Sequence, residues 1–108
     1  MSIVELSDAD FEGQVLHASQ PVLVEFGAEW CHPCRQLEPI IDELADEWGE
    51  QVKVGRLDVD ANVASTMRFG VMGVPTLILF VRGEPVERLS GFVPKKRIIE
   101  RLGPHLGL

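Results

Sequence analysis

Residues 26–34 decide the interpretation of this chain, and they read Phe26-Gly27-Ala28-Glu29-Trp30-Cys31-His32-Pro33-Cys34. The run Val22-Leu23-Val24-Glu25-Phe26, which leads into them, is typical of a strand buried on both faces. After Cys34, apolar residues recur at helical spacing, and Gly49 is expected to end that helix; they are Leu37, Ile40, Ile41, Leu44, Ala45 and Trp48. The two cysteines therefore lie between a buried strand and a long amphipathic helix.

This placement predicts a reactive thiol. Unpaired N–H groups and the helix dipole favour negative charge at a helix N-terminus, which lowers the pKa of a thiol there and makes it a nucleophile. Cys34 lies one helical turn after Cys31 and can attack a mixed disulfide. We expect Cys31 to be the solvent-reachable nucleophile and Cys34 to be the resolving cysteine.

Two other interpretations of the cysteine pair are possible. A structural zinc site needs four ligands, but only His17, His32 and His105 could assist, and none has zinc-finger spacing. An inert pair is the second alternative. The order strand, Cys-x-x-Cys, helix favours redox chemistry over both, and no metal is expected.

The rest of the chain continues the alternation of strands and helices. The predicted order is βαβαβαββα, an α/β fold with a mixed central sheet flanked by helices on both faces, in a single domain spanning residues 1–108. In the predicted strand 52–60 the alternating apolar positions shift by one residue near Gly55, from Val52 and Val54 to Leu57 and Val59. This shift indicates either a bulge or burial on both faces. The remaining predicted elements are strands 52–60, 77–81 and 86–89, a turn at Arg82-Gly83, and helices 7–17, 62–69 and one after Pro94.

Composition limits the possible partners and compartment. The chain has 45% hydrophobic residues and a net charge of -7, which argues against nucleic acid as a partner. No apolar run approaches the roughly 20 residues that span a bilayer. Residues 1–5 lack the features of a signal peptide, so we expect a cytoplasmic protein. We also expect it to be a monomer. In that reducing compartment two cysteines seldom form a purely structural bridge.

Residues 26–34 resemble the active-site segment of the thioredoxin family. Similar residues recur at family positions along the chain, from Ser7 to Leu106: Pro39, Asp58-Val59-Asp60, Val74-Pro75-Thr76 and Gly91. The resemblance implies the thioredoxin fold and reduction of disulfides in partner proteins. It also implies electrons from a thioredoxin reductase and NADPH, with no bound cofactor.

The resemblance assigns a role to Glu25, which interrupts an apolar strand. Its family counterpart is a buried Asp that helps to deprotonate the second cysteine, so Glu25 is expected to act on Cys34, with burial raising its pKa. Arg56 replaces a family Lys near that carboxylate and is expected to hold Glu25 more ionised than desolvation alone would allow. The alternatives are an edge position for Glu25 and an ordinary solvated strand residue at Arg56.

A substrate surface is expected around Cys31. By resemblance, a cis Pro75 frees the backbone of Val74 to pair with an extended peptide, and Gly73 permits close approach. The surrounding apolar patch is expected to comprise Trp30, Met72, Val74, Gly91 and Phe92. Taken singly, Met72 and Phe92 could equally be core residues.

Two residues depart from the family pattern. His32 replaces a Gly beside Pro33, and an imidazolium there should stabilise the Cys31 thiolate and make the potential less reducing. Together with Arg56, His32 and Pro33 are expected to tune the redox properties. Gly27 stands where the family usually has a second Trp. A thiol oxidase or isomerase, and a thioredoxin-like binding or chaperone module, are the alternative functions.

Charged residues at the two ends of the chain are interpreted as surface. Asp8, Asp10 and Glu12 are expected to form a solvated face. The basic run Lys95-Lys96-Arg97 lies in a first helical turn, where it opposes the dipole, and is either a tolerated surface cluster or a partner contact.

Overall fold

A computed structural model describes residues 3–108, with the first two residues outside the described range. Five strands form one sheet in the order β1-β3-β2-β4-β5, with β2 at its centre. The strands are β1 Ile3–Leu6, β2 Val22–Gly27, β3 Lys53–Asp58, β4 Thr76–Val81 and β5 Glu84–Ser90. The helices are α1 His32–Trp48, α2 Val63–Arg68 and α3 Lys95–Leu106, with a π-helical turn at Glu12–Leu16 and a 3₁₀ turn at Gly49–Gln51.

The sheet is mixed, as predicted. Strand β3 runs parallel to both β1 and β2, whereas β4 is antiparallel to β2 and β5. Arg82 and Gly83 form the β4–β5 turn with φ of 52° and 80°, the positive values that a two-residue hairpin turn requires.

Side chains of alternate strand residues pack into two cores, one on each face of the sheet. On one face Leu23, Leu77 and Leu79 pack against α1 and α3. On the other face Val24 and Phe26 pack against Phe11, which belongs to the segment before β2. Because all six residues of β2 are buried, both faces of the central strand are covered, as its apolar run predicted.

The shift of the alternating apolar positions in β3 results from burial on both faces. The strand keeps a continuous register with β1 and β2, so neither ladder has a bulge there. A Cβ at Gly55 would lie 2.4 Å from Cδ1 of Leu6, so any larger residue would force the Leu6 side chain to move. The register shift in the sheet lies instead between β4 and β5, beside Leu79 and Phe80.

The predicted helix over residues 7–17 is wrong in extent. The Ser7 N–H donates to Asp10 Oδ1 at 2.8 Å, and the helical segment that follows is limited to the π-helical turn Glu12–Leu16. Asp8 is bound elsewhere: its carboxylate accepts the N–H groups of Ala64 and Ser65 at the start of α2. Asp8 is exposed, as expected, and its carboxylate also holds the N-terminus of α2 to the segment that follows β1.

Lys95 also has a defined role. Its ammonium group contacts the carboxylates of Glu43 and Glu47, which joins the first turn of α3 to α1. These ion pairs compensate for a basic residue at a helix N-terminus, where it opposes the dipole.

Candidate active site

The two cysteines form a disulfide at the N-terminus of α1. Cys31 is the N-cap residue and Cys34 lies in the first turn, with a Cα–Cα distance of 5.3 Å. The backbone N–H of Cys34 donates to Cys31 Sγ at 3.2 Å. A sulfur in this position accepts one of the unpaired N–H groups of the helix, so a thiolate there is stabilised.

The disulfide is less exposed than the sequence suggested. Cys31 retains 3% of its accessible surface and Cys34 retains 1%. Ala28 packs with the pair, and Val59 and Val74 lie against them from the neighbouring loops. The expectation of a solvent-reachable Cys31 needs correction, because in this oxidised form Cys31 keeps only a small accessible surface and Cys34 almost none.

Glu25 is buried in the centre of the sheet, so the edge-position alternative is wrong. The residue is 1% exposed and pairs in register with Arg56 of β3. Burial raises the pKa of Glu25, and the charge of Arg56 opposes that rise. Arg56 Nε donates to Glu25 Oε1 at 2.9 Å, and its Nη2 lies 3.6 Å from Asp42 Oδ1.

A hollow of about 180 Å³ lies beside this ion pair and extends to Gly27 at the end of β2. Glu25, Gly27 and Arg56 are among its lining residues. A Cβ at Gly27 would lie 3.4 Å from Cys34 Sγ, which places the sulfur directly behind that glycine. The hollow is large enough for several water molecules.

The predicted substrate residues surround two hollows that share Met72, Gly73 and Val74. The first, of about 170 Å³, also includes Trp30. The second, of about 390 Å³, also includes Pro75 and Gly91. Trp30 is 71% exposed and Met72 is 97% exposed, so neither is a core residue.

Hydrogen bonds fix the loops that carry these residues. The Val74–Pro75 peptide bond is cis, and the N–H of Gly91 donates to the carbonyl of Pro75 at 2.8 Å. The hydroxyl of Thr76 donates to the carbonyl of Gly73 at 2.7 Å. Pro75 itself is buried, so the surface here is formed by Gly73 and Val74.

Phe92, His32 and Pro33 complete the predicted set. Phe92 is 46% exposed and lines a separate hollow with Ser90, so the sequence was right to place it at the surface. It shares no hollow with Trp30. His32 and Pro33 are exposed in the first turn of α1, directly after Cys31.

Asp60 contributes to the site through the indole ring of Trp30. Trp30 Nε1 donates to Asp60 Oδ2 at 2.7 Å, which orients an otherwise exposed indole ring beside Cys31. In the sequence, Asp60 is marked only by the family-like run Asp58-Val59-Asp60. The hydrogen bond itself could not be predicted, because its two partners are 30 residues apart and come together through the β2–β3 pairing.

Within residues 3–108, no group of three or more His, Cys, Asp or Glu is arranged to hold a metal ion. In the same range, no helix has both the length and the apolarity needed to span a membrane.

Comparison with known proteins agrees with this geometry. The family model described as thioredoxin matches residues 2–103, nearly the whole chain. The chain belongs to the thioredoxin family. Its disulfide pair at the head of α1 makes it a thiol–disulfide oxidoreductase of that family.

Individual thioredoxins show the same likeness along their full length. A thioredoxin of Alicyclobacillus acidocaldarius subsp. acidocaldarius is 44% identical over 97 residues, covering 90% of this chain and 91% of the relative. A thioredoxin of Staphylococcus aureus is 42% identical over 106 residues, covering 98% of this chain and all of the relative.

Proposed function

We propose that this thioredoxin-family protein reduces disulfides of partner proteins and carries electrons to them from a thioredoxin reductase that uses NADPH. The observation that carries the proposal is the Cys31–Cys34 disulfide at the N-terminus of α1, with Val74 packed against the pair. Relatives named thioredoxin support the same assignment.

The first step belongs to the reduced form. The Cys31 thiolate attacks one sulfur of the partner disulfide, the partner S–S bond breaks, and the second partner sulfur leaves as a thiolate that takes a proton. The N–H of Cys34, which points at Cys31 Sγ, stabilises the attacking thiolate. The product is a mixed disulfide between Cys31 and the partner.

The second step releases the partner. Cys34 loses its proton and attacks Cys31 Sγ, so the mixed disulfide breaks and the partner's first sulfur leaves as a thiolate. Two electrons have then passed to the partner, and Cys31–Cys34 is oxidised. The short Cα–Cα distance of 5.3 Å allows this ring closure with little backbone movement.

Glu25 is proposed to accept the proton of Cys34 through water. It lines the hollow that reaches Gly27, and Cys34 Sγ lies directly behind Gly27. Because burial raises the pKa of Glu25, the carboxylate is a stronger base than an exposed one and better suited to act near neutral pH. The redox properties of the cysteine pair are proposed to be tuned by Arg56, His32 and Pro33. No bound cofactor takes part in the proposed mechanism.

Substrate is proposed to lie across the apolar surface formed by Trp30, Met72, Gly73 and Val74, extending towards Gly91 and Phe92. An exposed apolar surface of this kind accepts varied partner sequences through burial that has little directional preference. We propose a monomer in the cytoplasm, because continued reduction of partners requires a reducing compartment.

The test is reduction of insulin disulfides with a bacterial thioredoxin reductase and NADPH. The proposal predicts NADPH consumption that depends on this protein and is absent from the double variant Cys31→Ser, Cys34→Ser. Cys34→Ser alone should accumulate a mixed disulfide on Cys31. A chaperone module would give a different result. Its wild type would not reduce insulin, and the double variant would still suppress aggregation.

An oxidase or isomerase direction is the second candidate, favoured by the exposed His32 beside Cys31. It predicts that the oxidised protein introduces disulfides into a reduced, unfolded substrate faster than the His32→Gly variant does. Faster insulin reduction by the wild type than by the variant would argue against that direction.

A further inference from the structure

Three arginines lie close to the proposed substrate surface, one on the edge strand β5 and two on helix α3. Arg88, Arg97 and Arg101 line one hollow of about 430 Å³, together with Phe92 and Pro94. We call these three arginines the basic edge. Arg88 and Ser90 also line the neighbouring hollow that contains Met72, Val74 and Gly91. The basic edge is therefore continuous with the surface that faces Cys31.

No carboxylate lines either hollow. The chain as a whole has 17 acidic and 10 basic residues, so two adjacent hollows lined by three arginines and by no carboxylate contrast with the overall charge. Such a region attracts acidic groups although the net charge of -7 repels them at a distance.

Two of the three arginines carry charge that is largely uncompensated. Arg88 donates to the backbone carbonyl of Phe69, a neutral acceptor, and has no ion-pair partner among residues 3–108. The nearest carboxylate to Arg97 is Glu100 at 4.0 Å, and both side chains are exposed. Arg101, in contrast, is paired with Glu87.

We propose that Arg88 and Arg97 select partner proteins in which acidic residues flank the reactive disulfide. This inference rests on the proposed reductase function and specifies its substrate class. The occupant is an extended segment of the partner chain that crosses the Val74 loop and places an Asp or Glu side chain at the basic edge. A guanidinium whose remaining N–H groups are free can bind a carboxylate in a bidentate manner.

Matched peptides test this selection. Each contains one cysteine joined by a disulfide to 2-nitro-5-thiobenzoate, and either Glu or Gln at the second to fourth positions on both sides of that cysteine. Reduced protein attacks the peptide sulfur through Cys31, the S–S bond breaks, and the nitrothiobenzoate thiolate leaves and is measured by absorbance. The second-order rate constant is compared at low ionic strength.

The wild type should react about two- to fivefold faster with the Glu peptide than with the Gln peptide, the range expected for exposed ion pairs. The double variant Arg88→Gln, Arg97→Gln should bring the two rates together without changing the Gln-peptide rate. A matched control, Arg82→Gln with Lys96→Gln, removes the same charge from residues outside both hollows and should keep the preference. Arg88→Lys with wild-type Arg97 should retain most of it.

Two results would overturn the selection: equal or slower reaction of the Glu peptide with the wild type, or equal loss of preference in the control variant. Failure of the reductase function is a separate outcome, since the wild type would then react with neither peptide at a rate above that of the Cys31→Ser variant. A Gln-peptide rate equal to that of the wild type shows that the arginine variants are folded.

Discussion

Arg56 Nε donates to Glu25 Oε1 at 2.9 Å between two neighbouring strands of the sheet. The carboxylate is almost fully buried, whereas the guanidinium side chain keeps 26% of its surface exposed. The pair therefore connects an internal base to the protein surface. Burial raises the pKa of Glu25 while Arg56 lowers it, and burial has the larger effect.

Replacement of Arg56 by Met should raise the pKa of Glu25 further. The variant removes the positive charge and the hydrogen bond that favour the ionised carboxylate, while burial remains. NMR titration of the Glu25 carboxyl carbon in the oxidised protein measures the change. Arg82→Met, which removes an arginine of the β4–β5 turn, is the control and should leave that titration where it is. An unshifted Glu25 in Arg56→Met would show that the ion pair has no electrostatic effect.

Glu25 should also make stability depend on pH. Its folded pKa is raised, so between the unfolded and folded values the native state binds more protons than the unfolded chain. The free energy of unfolding then falls as pH rises through that window, and the contribution of Glu25 is most favourable below it. Denaturant unfolding of the oxidised protein should show a flatter pH dependence in Glu25→Gln than in wild type. Glu50→Gln, at an exposed carboxylate, should leave the wild-type slope unchanged.

The same Glu25→Gln variant tests the proposed proton transfer. Loss of a positioned general base typically costs about 10²-fold or more in rate. The mixed disulfide on Cys31 should therefore accumulate during reduction of a peptide disulfide, while the rate of its formation stays near that of the wild type. Unchanged resolution by Cys34 would remove Glu25 from the mechanism.

Two glycines should respond to alanine in opposite directions. At Gly27 the added Cβ would make an ordinary contact with Cys34 Sγ at 3.4 Å, so Gly27→Ala should raise the free energy of unfolding by about 0.5–1 kcal/mol. At Gly55 the added Cβ would meet Leu6 Cδ1 at 2.4 Å, and Gly55→Ala should lower it by about 1–3 kcal/mol. Denaturant unfolding of both oxidised variants measures the two changes in the free energy of unfolding. A stabilised Gly55→Ala would contradict the packing of Leu6 over Gly55.

His32 should shift the redox potential. The residue is exposed in the first turn of α1 beside Cys31, and its protonated form stabilises a neighbouring thiolate and therefore the reduced protein. His32→Gly should make the potential more negative, by about 30 mV for each 1.4 kcal/mol of lost stabilisation. Equilibration with glutathione measures it. Lys96→Gly, remote in sequence and outside this turn, is a control that should keep the wild-type potential.

The sequence predicted those features that depend on local pattern. The apolar run of β2, the helical period of α1 ending at Gly49, and the turn at Arg82-Gly83 are confirmed because each is encoded by neighbouring residues. The position of Cys31 at the head of α1 followed from the same reasoning.

What the sequence could not predict depends on contacts between distant segments. Asp8 caps α2 across more than 50 residues, so the local pattern of the first segment suggested a longer helix than exists. The near closure of the disulfide arises from Val59 and Val74, which approach it from separate loops. The Trp30–Asp60 hydrogen bond is likewise a product of the sheet order.

The choice between bulge and burial at Gly55 shows a third kind of limit. The residues of β3 fit either arrangement, and only the unbroken register of β3 with both neighbouring strands decides it. Similarly, Arg56 could have been a solvated strand residue until its register with a buried Glu25 was known.

The most direct test of the mechanism is alkylation of the reduced protein with iodoacetamide as a function of pH, with the modified cysteine assigned by mass spectrometry. Cys31 should be alkylated first, with a rate that rises through a pKa below that of an ordinary thiol, while Cys34 stays protected. Equal reactivity of the two cysteines, or a Cys31 rate that rises only at the pH of an ordinary thiol, would contradict the role given to the head of α1.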